Sequence, residues 1–200
     1  MAVSRAGYSQ GKGSTGYLTG QLLVAMPGMT DPRFERAVIY MCVHSLEEGA
    51  MGLIINKPLP DVRFGDILSN LKIKPQSNSC AQVQVHRGGP VQTQLGFILH
   101  SGDYQKAGTL VIDSEICLST TTDILRAIAE GTGPDRNLMA LGYAGWDSRQ
   151  LDDEIKRNAW LNVPADMDLL FAQDYDAKWS RALAKIGIAA HQLSSEAGHA

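Results

Sequence analysis

The stretch LMALGYAGWDSRQLDDEIKRNAW, Leu138–Trp160, decides how the rest of the chain is read. Leu138–Ala144 has the apolar run of a strand, a glycine turn follows, and a helix begins after Trp146. Side chains alternate along a strand, so Ala140, Gly142 and Ala144 share one nearly bare face. A second backbone is expected close against that face. The helix turns Leu151, Ile155 and Ala159 inward. Asp147 is expected to cap it, and Asp152–Lys156 and Asp153–Arg157 have i,i+4 spacing. A strand–turn–helix is also where a hydrolase nucleophile elbow would lie. That elbow needs Ser at its centre and Gly two residues later, and this chain has Ala144 and Trp146, which excludes that chemistry.

Upstream, Thr19–Met26 reads as a strand broken by Pro27-Gly28. Ala37–His44 carries Val38, Tyr40, Cys42 and His44 on one face and Ile39, Met41 and Val43 on the other, as a strand covered on both sides does. Glu47-Glu48-Gly49 turns it into a second apolar strand, Ala50–Asn56, ended by Pro58. Phe64, Ile67, Leu68 and Leu71 follow helical spacing. Val83–Arg87, Gly96–His100 and parts of Leu110–Leu118 read as strands. Thr120 and Asp123 have capping-box spacing before a helix with Ile124, Leu125 and Ile128 inward and Gly131 at its end. Asp168–Phe171 reads as a last strand and Asp176–Ile186 as the final helix, with Trp179, Leu183 and Ile186 on one face. Hairpins precede helices without steady alternation, which favours α+β over a doubly wound sheet.

Two hundred residues suit one domain, here 17–200, behind a Gly- and Ser-rich leader at 1–16 that is expected to be flexible. The net charge is −3 with no Lys/Arg run, which weighs against direct DNA binding. Cys42, Cys80 and Cys117 are odd in number and lack CxxC spacing, so reduced thiols in a cytoplasm are expected. No apolar run approaches the ~18 residues of a membrane span. Gly11-Lys12-Gly13-Ser14-Thr15 lacks the glycine and the strand that a phosphate loop requires.

Taken together, several motifs resemble the AlgH/YqgE family of bacterial proteins. They are Gly20-x-Leu22-Leu23 with Ala25-Met26-Pro27, Asp31-Pro32-x-Phe34, the run Gly49 to Pro58, and Gly88-Gly89-Pro90-Val91. Gly96 to His100, Thr122 to Leu125, Leu141 to Trp146, Glu154-Ile155, Asn158-Ala159-Trp160 and Pro164-Ala165-Asp166 follow in order. The resemblance implies a bent, mostly antiparallel sheet forming a pseudo-barrel with flanking helices. It implies a bacterial cytosolic protein; one branch is named as a transcriptional regulator of exopolysaccharide genes, and no reaction is established. Val43-His44-Ser45 and Leu95-Gly96-Phe97 depart from the family's usual Glu-His-Asn and Arg-Gly-Phe.

The residues leave two readings open. In one, the protein is a non-catalytic regulatory or binding protein for a small molecule or a protein, linked indirectly to transcription. In the other, it is an enzyme whose pocket gathers His44, Asn56, Lys57, Arg87 and His100, which must then converge. His86-Arg87-Gly88-Gly89-Pro90 is the best anion-site candidate, because its two glycines free backbone N–H groups to form a nest and Arg87 adds a charged fork. The alternative there is a tight turn that needs positive φ. Tyr143 and Trp146 are candidate pocket-lining residues. Cys42-x-His44 is a weak zinc signal without a second ligand pair, so no metal and no cofactor are expected.

Overall fold

The computed structural model describes residues 18–76, 80 and 82–193. The leader and the final Gly198-His199-Ala200 lie outside them. Among the described residues, ten strands form one curled sheet: β1 (Gln21–Ala25), β2 (Val38–Ser45), β3 (Gly49–Ile54), β4 (Pro58–Arg63), β5 (Gln84–Arg87), β6 (Val91–Ser101), β7 (Thr109–Val111), β8 (Ile116–Ser119), β9 (Asn137–Trp146) and β10 (Trp160–Pro164). Five α-helices of the described residues flank it: α1 (Phe64–Asn70), α2 (Thr122–Glu130), α3 (Gln150–Lys156), α4 (Met167–Phe171) and α5 (Lys178–Lys185). The main path runs β10-β1-β2-β3-β9-β6-β8-β7, with β5 joined to β9 and to β4. Every one of these pairings is antiparallel except β5 with β9. This is the expected α+β half-barrel.

The alternation read in β2 explains its burial up to Cys42; the bulge between Met41 and Val43 then places Val43, rather than His44, against the cluster of Val38, Tyr40 and Cys42. Val38, Tyr40 and Cys42 pack in one cluster with Leu53, Leu99 and the α5 residues Trp179 and Leu183. Ile39 and Met41 pack in another with Leu23, Ala144, Leu151 and Trp160. A third cluster joins α1 and α2 to the sheet through Phe64, Leu68, Ile124, Ile128, Val85, Ile98 and Met139. Sheet faces clad on both sides leave apolar runs where a half-solvated sheet would show strict alternation.

Several local expectations need correction. β9 runs unbroken from Asn137 to Trp146, past the expected end at Ala144, so no turn forms at Gly145; Gly142 sits within the strand as read, at φ +70. Opposite it, the β6–β9 register shifts between Val91 and Gly96, which is the irregularity a positive-φ residue relieves. Asp168–Phe171 belongs to helix α4, because the Asp166 carboxylate accepts from the Leu169 N–H at 2.7 Å and caps it. The missed strands are β4, which begins at Pro58 itself, and β10. Helix α2 has Thr121 as its N-cap with no side-chain bond, so the Thr120–Asp123 box does not form. Helix α3 is capped by Arg149 at φ +61; the Asp147 backbone N–H donates to Gln150 Oε1 instead. Lys156 pairs with Asp153, three residues back. Leu71 and Ile186 are exposed and extend no apolar stripe.

Candidate functional site

The five polar residues proposed for one pocket do not converge. Asn56 spans the entry to β2: its Oδ1 accepts from the Val38 N–H at 2.8 Å and its Nδ2 donates to Arg36 O at 2.9 Å. His44 lies six residues further along β2, roughly 20 Å away at ~3.3 Å per residue. There its Nε2 is 3.5 Å from Asp152, and its N–H donates to Thr19 Oγ1. His100 pairs with Asn137 of β9 and Arg87 with Leu141, on opposite flanks of that strand. Their backbones are thus roughly 16 Å apart by strand geometry. His100 is a satisfied core histidine: Nδ1 donates to Ser101 O at 2.9 Å, and Nε2 accepts from Ser119 Oγ at 3.0 Å. Burial lowers its pKa.

Lys57 and Arg87 are brought together, since the Arg87 N–H donates to Lys57 O. The Lys57 ammonium reaches Arg33 O at 3.1 Å. Burial pulls its pKa down, Glu35 opposes that, and Arg87 adds to it. Gly88 and Gly89 form neither a nest nor a positive-φ turn. The Gly88 N–H donates to Leu141 O, and its carbonyl accepts from Ile54 N–H. A Cβ on Gly88 would lie 2.2 Å from Gly142 O, and one on Gly89 would lie 2.0 Å from Tyr143 C. This is the second backbone that the bare face of β9 called for.

Tyr143 packs edge-on against Phe97. Trp146 and Trp160 both donate their indole N–H to Glu154 Oε2, at 2.9 and 2.8 Å. Trp146 therefore has a structural role, with its polar edge committed to α3. Asn158, exposed at φ +58, ends the turn after α3.

The concave site lies elsewhere. A cleft of about 520 Å³ opens between the C-terminal end of α2, the loop into β9 and the end of α4. Gly133, Arg136, Asn137, Asp168, Phe171 and Gln173 contribute to its walls. At the rim the Arg136 guanidinium meets the Asp168 carboxylate at 2.8 Å. The Arg136 backbone is stapled to Ser101, whose N–H donates to Arg136 O and whose Oγ accepts from Arg136 N–H.

A smaller recess of about 30 Å³ shares Asn137, Phe171 and Gln173 with the cleft and adds His86, Leu138 and Tyr175. His86 is 1 % exposed. Its Nδ1 faces two carbonyls, Gln84 O at 3.2 Å and Met139 O at 3.3 Å, so that nitrogen carries the proton. Burial, reinforced by Lys178, holds the ring pKa down at about 4. Nε2 is then a bare lone pair, and among the described residues it has no partner; neither does Asn137 Oδ1. Tyr175 stacks edge-on against His86 at 4.8 Å and lies 5.5 Å beneath the Lys178 ammonium. Lys178 is fully buried and donates to Leu170 O, and burial lowers its pKa to about 7.

Residues 22–191 match a family model described as AlgH-like. The chain belongs to the AlgH-like family. It is 54 % identical over 185 residues to a UPF0301 protein of Rhodospirillum rubrum, spanning 92 % of this chain and 95 % of that one. A UPF0301 protein of Methylocella silvestris is 51 % identical and spans 99 % and 98 %. The solution structure of the AlgH protein of Pseudomonas aeruginosa superposes with a TM-score of 0.75 at 41 % identity, over 95 % of this chain and all of that one. A crystal structure of Corynebacterium diphtheriae protein DIP2367, at 21 % identity and a TM-score of 0.66, shares the fold. Among the described residues no helix is long and apolar enough to cross a membrane.

Sequence reading noticed His86 only as the neighbour of Arg87, and it missed Arg136, Asn137, Gln173 and Tyr175. A histidine inside a strand next to Val85 was the one available signal. Met139 and Tyr175, which contact it, lie about fifty or more residues away in sequence, beyond the reach of spacing.

Proposed function

We propose that this AlgH-like protein is a non-catalytic binding protein of the cytoplasm. A small molecule held in the cleft over His86 and Asn137 sets its affinity for a protein partner and so influences transcription indirectly. The observation that carries this reading is an unpartnered buried acceptor, His86 Nε2, on a residue lining a recess that shares Asn137, Phe171 and Gln173 with the cleft. Buried polar atoms are nearly always partnered, and an orphan beside a cavity marks a place where a ligand or water belongs. The cleft volume falls within the roughly 300–1,000 Å³ of small-molecule sites. The groups around the recess suit binding better than turnover: His86 Nδ1 is committed to carbonyls, and Lys178 is committed to Leu170. The acidic balance supports an indirect route to transcription.

A thermal-shift screen over metabolite classes, with amide chemical-shift mapping of hits, tests the reading. Stabilisation with shifts centred on Asn137 and Gln173 is expected. If no class stabilises the protein, or if hits map away from the cleft, the reading fails. A promoter-specific gel shift that weakens steeply with salt would overturn the indirect route.

A further inference from the structure

Lys57 and Arg87 line neither the cleft nor the recess. We infer that they form a separate site for the phosphate of a phosphomonoester, whose oxygens bridge the ammonium and the guanidinium. The placement starts with the sheet. β4 and β5 are antiparallel with Pro58 opposite His86, so the next residues out, Lys57 and Arg87, also oppose each other. The Arg87 N–H donates to Lys57 O at 2.9 Å, as that register requires. Directly opposed residues leave an antiparallel pair on one face, with Cβ atoms about 4.5–5.5 Å apart. Two cations therefore stand side by side, and like charges so placed destabilise a sheet. Nothing nearby offsets that cost. The Arg33 guanidinium is already committed to the Asp31 carboxylate at 3.0 and 2.7 Å. Lys57 Nζ has a neutral partner, Arg33 O at 3.1 Å. Among the described residues neither Lys57 nor Arg87 has a carboxylate within ion-pair distance. Burial and then Arg87 weigh on the Lys57 ammonium, against Glu35 and Asp31. The chain carries 21 Asp and Glu against 18 Lys and Arg, yet it leaves this pair unneutralised.

Both backbones are fixed. Asn56, before Lys57, is tied to Val38 and Arg36, and Gly88, after Arg87, is tied to Leu141 and Ile54. Charges held on rigid strands are what an oriented site needs. The two heads also ask different things of an anion. A guanidinium is a planar fork that takes two oxygens of one group, whereas an ammonium is a point charge that takes one. A carboxylate has only two oxygens, and Arg87 would use both. A phosphomonoester has three free oxygens and carries about −1.5 to −2 of charge at pH 7, so it serves both heads and neutralises both. A phosphodiester has two free oxygens and one charge, which sets a nucleic-acid backbone apart.

Methyl phosphate, dimethyl phosphate and acetate separate these cases. Each is titrated into the full chain at about pH 7.5 and low salt, and followed through the Arg87 Nε–H and Lys57 Nζ resonances. Methyl phosphate should saturate, shift both signals and raise the Lys57 pKa, because a bound anion favours the charged amine. The other two should bind at least about tenfold more weakly, each lacking one charged hydrogen bond. Arg87→Lys keeps the charge but loses the fork, and should weaken methyl phosphate by a similar factor. Arg87→Gln should abolish binding with an unchanged or higher Tm, because it removes a like-charge pair. A lower Tm would make Arg87 a structural residue and overturn the site. Acetate or dimethyl phosphate that binds as tightly as methyl phosphate overturns the phosphomonoester, and so does methyl phosphate that shifts neither resonance. A capped Ala-phosphoserine-Ala peptide identifies the source. Tighter binding than methyl phosphate places the phosphate on a protein partner and equal or weaker binding on a small molecule, and either upholds the site. The cleft is judged separately, by the metabolite screen read at Asn137 and Gln173.

Discussion

Lys178 offers the sharpest stability test. Its amine is fully buried and bonds to a backbone carbonyl, and burial, aided by Arg181, lowers its pKa from 10.5 to about 7. A lysine with a depressed folded-state pKa is protonated more in the unfolded chain between those two values. Stability therefore rises with pH across the window from about 7 to 10.5. At pH 7 the amine costs the fold roughly 4 kcal/mol, and at pH 9 roughly 2 kcal/mol. Lys178→Met removes that cost and packs a chain of similar shape, but it strips Leu170 O of its donor, which costs about 1–3 kcal/mol. The variant should be more stable than the parent by roughly 1–3 kcal/mol at pH 7, and the gap should shrink by about 2 kcal/mol at pH 9. Urea unfolding of both proteins at the two pH values measures this. Taking the difference between them cancels the thiols and other groups that titrate in the same range. A Lys178→Met protein that is weaker than the parent at pH 7, or a gap that does not move with pH, would refute the reasoning.

Three further outcomes follow from the packing. Gly89→Ala forces a Cβ to within 2.0 Å of the β9 backbone, so it should cost more than about 4 kcal/mol and show as loss of soluble, cooperatively melting protein. Glu154→Ala leaves two indole N–H groups without their acceptor; about 2–4 kcal/mol should be lost, with a red-shifted tryptophan emission in the native state. Cys42 is buried and its thiol is pushed up to about 12, so iodoacetamide at pH 8 should modify it only after denaturation. Native-state labelling of Cys42 at the rate of a free thiol would show that β2 opens readily.

Much of the sheet could be read from sequence because burial on both faces leaves a direct mark, as in Val38–His44. The bare face of Ala140, Gly142 and Ala144 likewise announced a close backbone before its source, Gly88-Gly89, was known. The errors fell where local signals compete. Gly145 looks like a turn, but β9 continues through it to Trp146. Pro58 looks like a stop, but it can open the edge strand β4, which it does here. The short helix α4 is decided by one carboxylate cap rather than by its apolar pattern. The site was the least legible part. Asn56, His44 and His100 stood out as polar groups at strand ends; Asn56 and His100 prove to be held by side-chain hydrogen bonds, and the His44 ring faces Asp152. The parallel β5–β9 alignment sets His86 beside Ala140, and α4 contributes Phe171 to the recess next to it, which no local spacing encodes.

The shared carboxylate of Glu154 also bears on how the chain folds. Trp146 and Trp160 lie on β9 and β10, four places apart in the sheet, yet the segment that links them through α3 is short. Closing so short a loop costs little chain entropy, and contacts of low sequence separation form early. The bend of the sheet can thus be established by residues 146–160 before the distant N-terminal strand β1 arrives to pair with β10. On this view β1 and β2 complete a curvature already laid down at the C-terminal side.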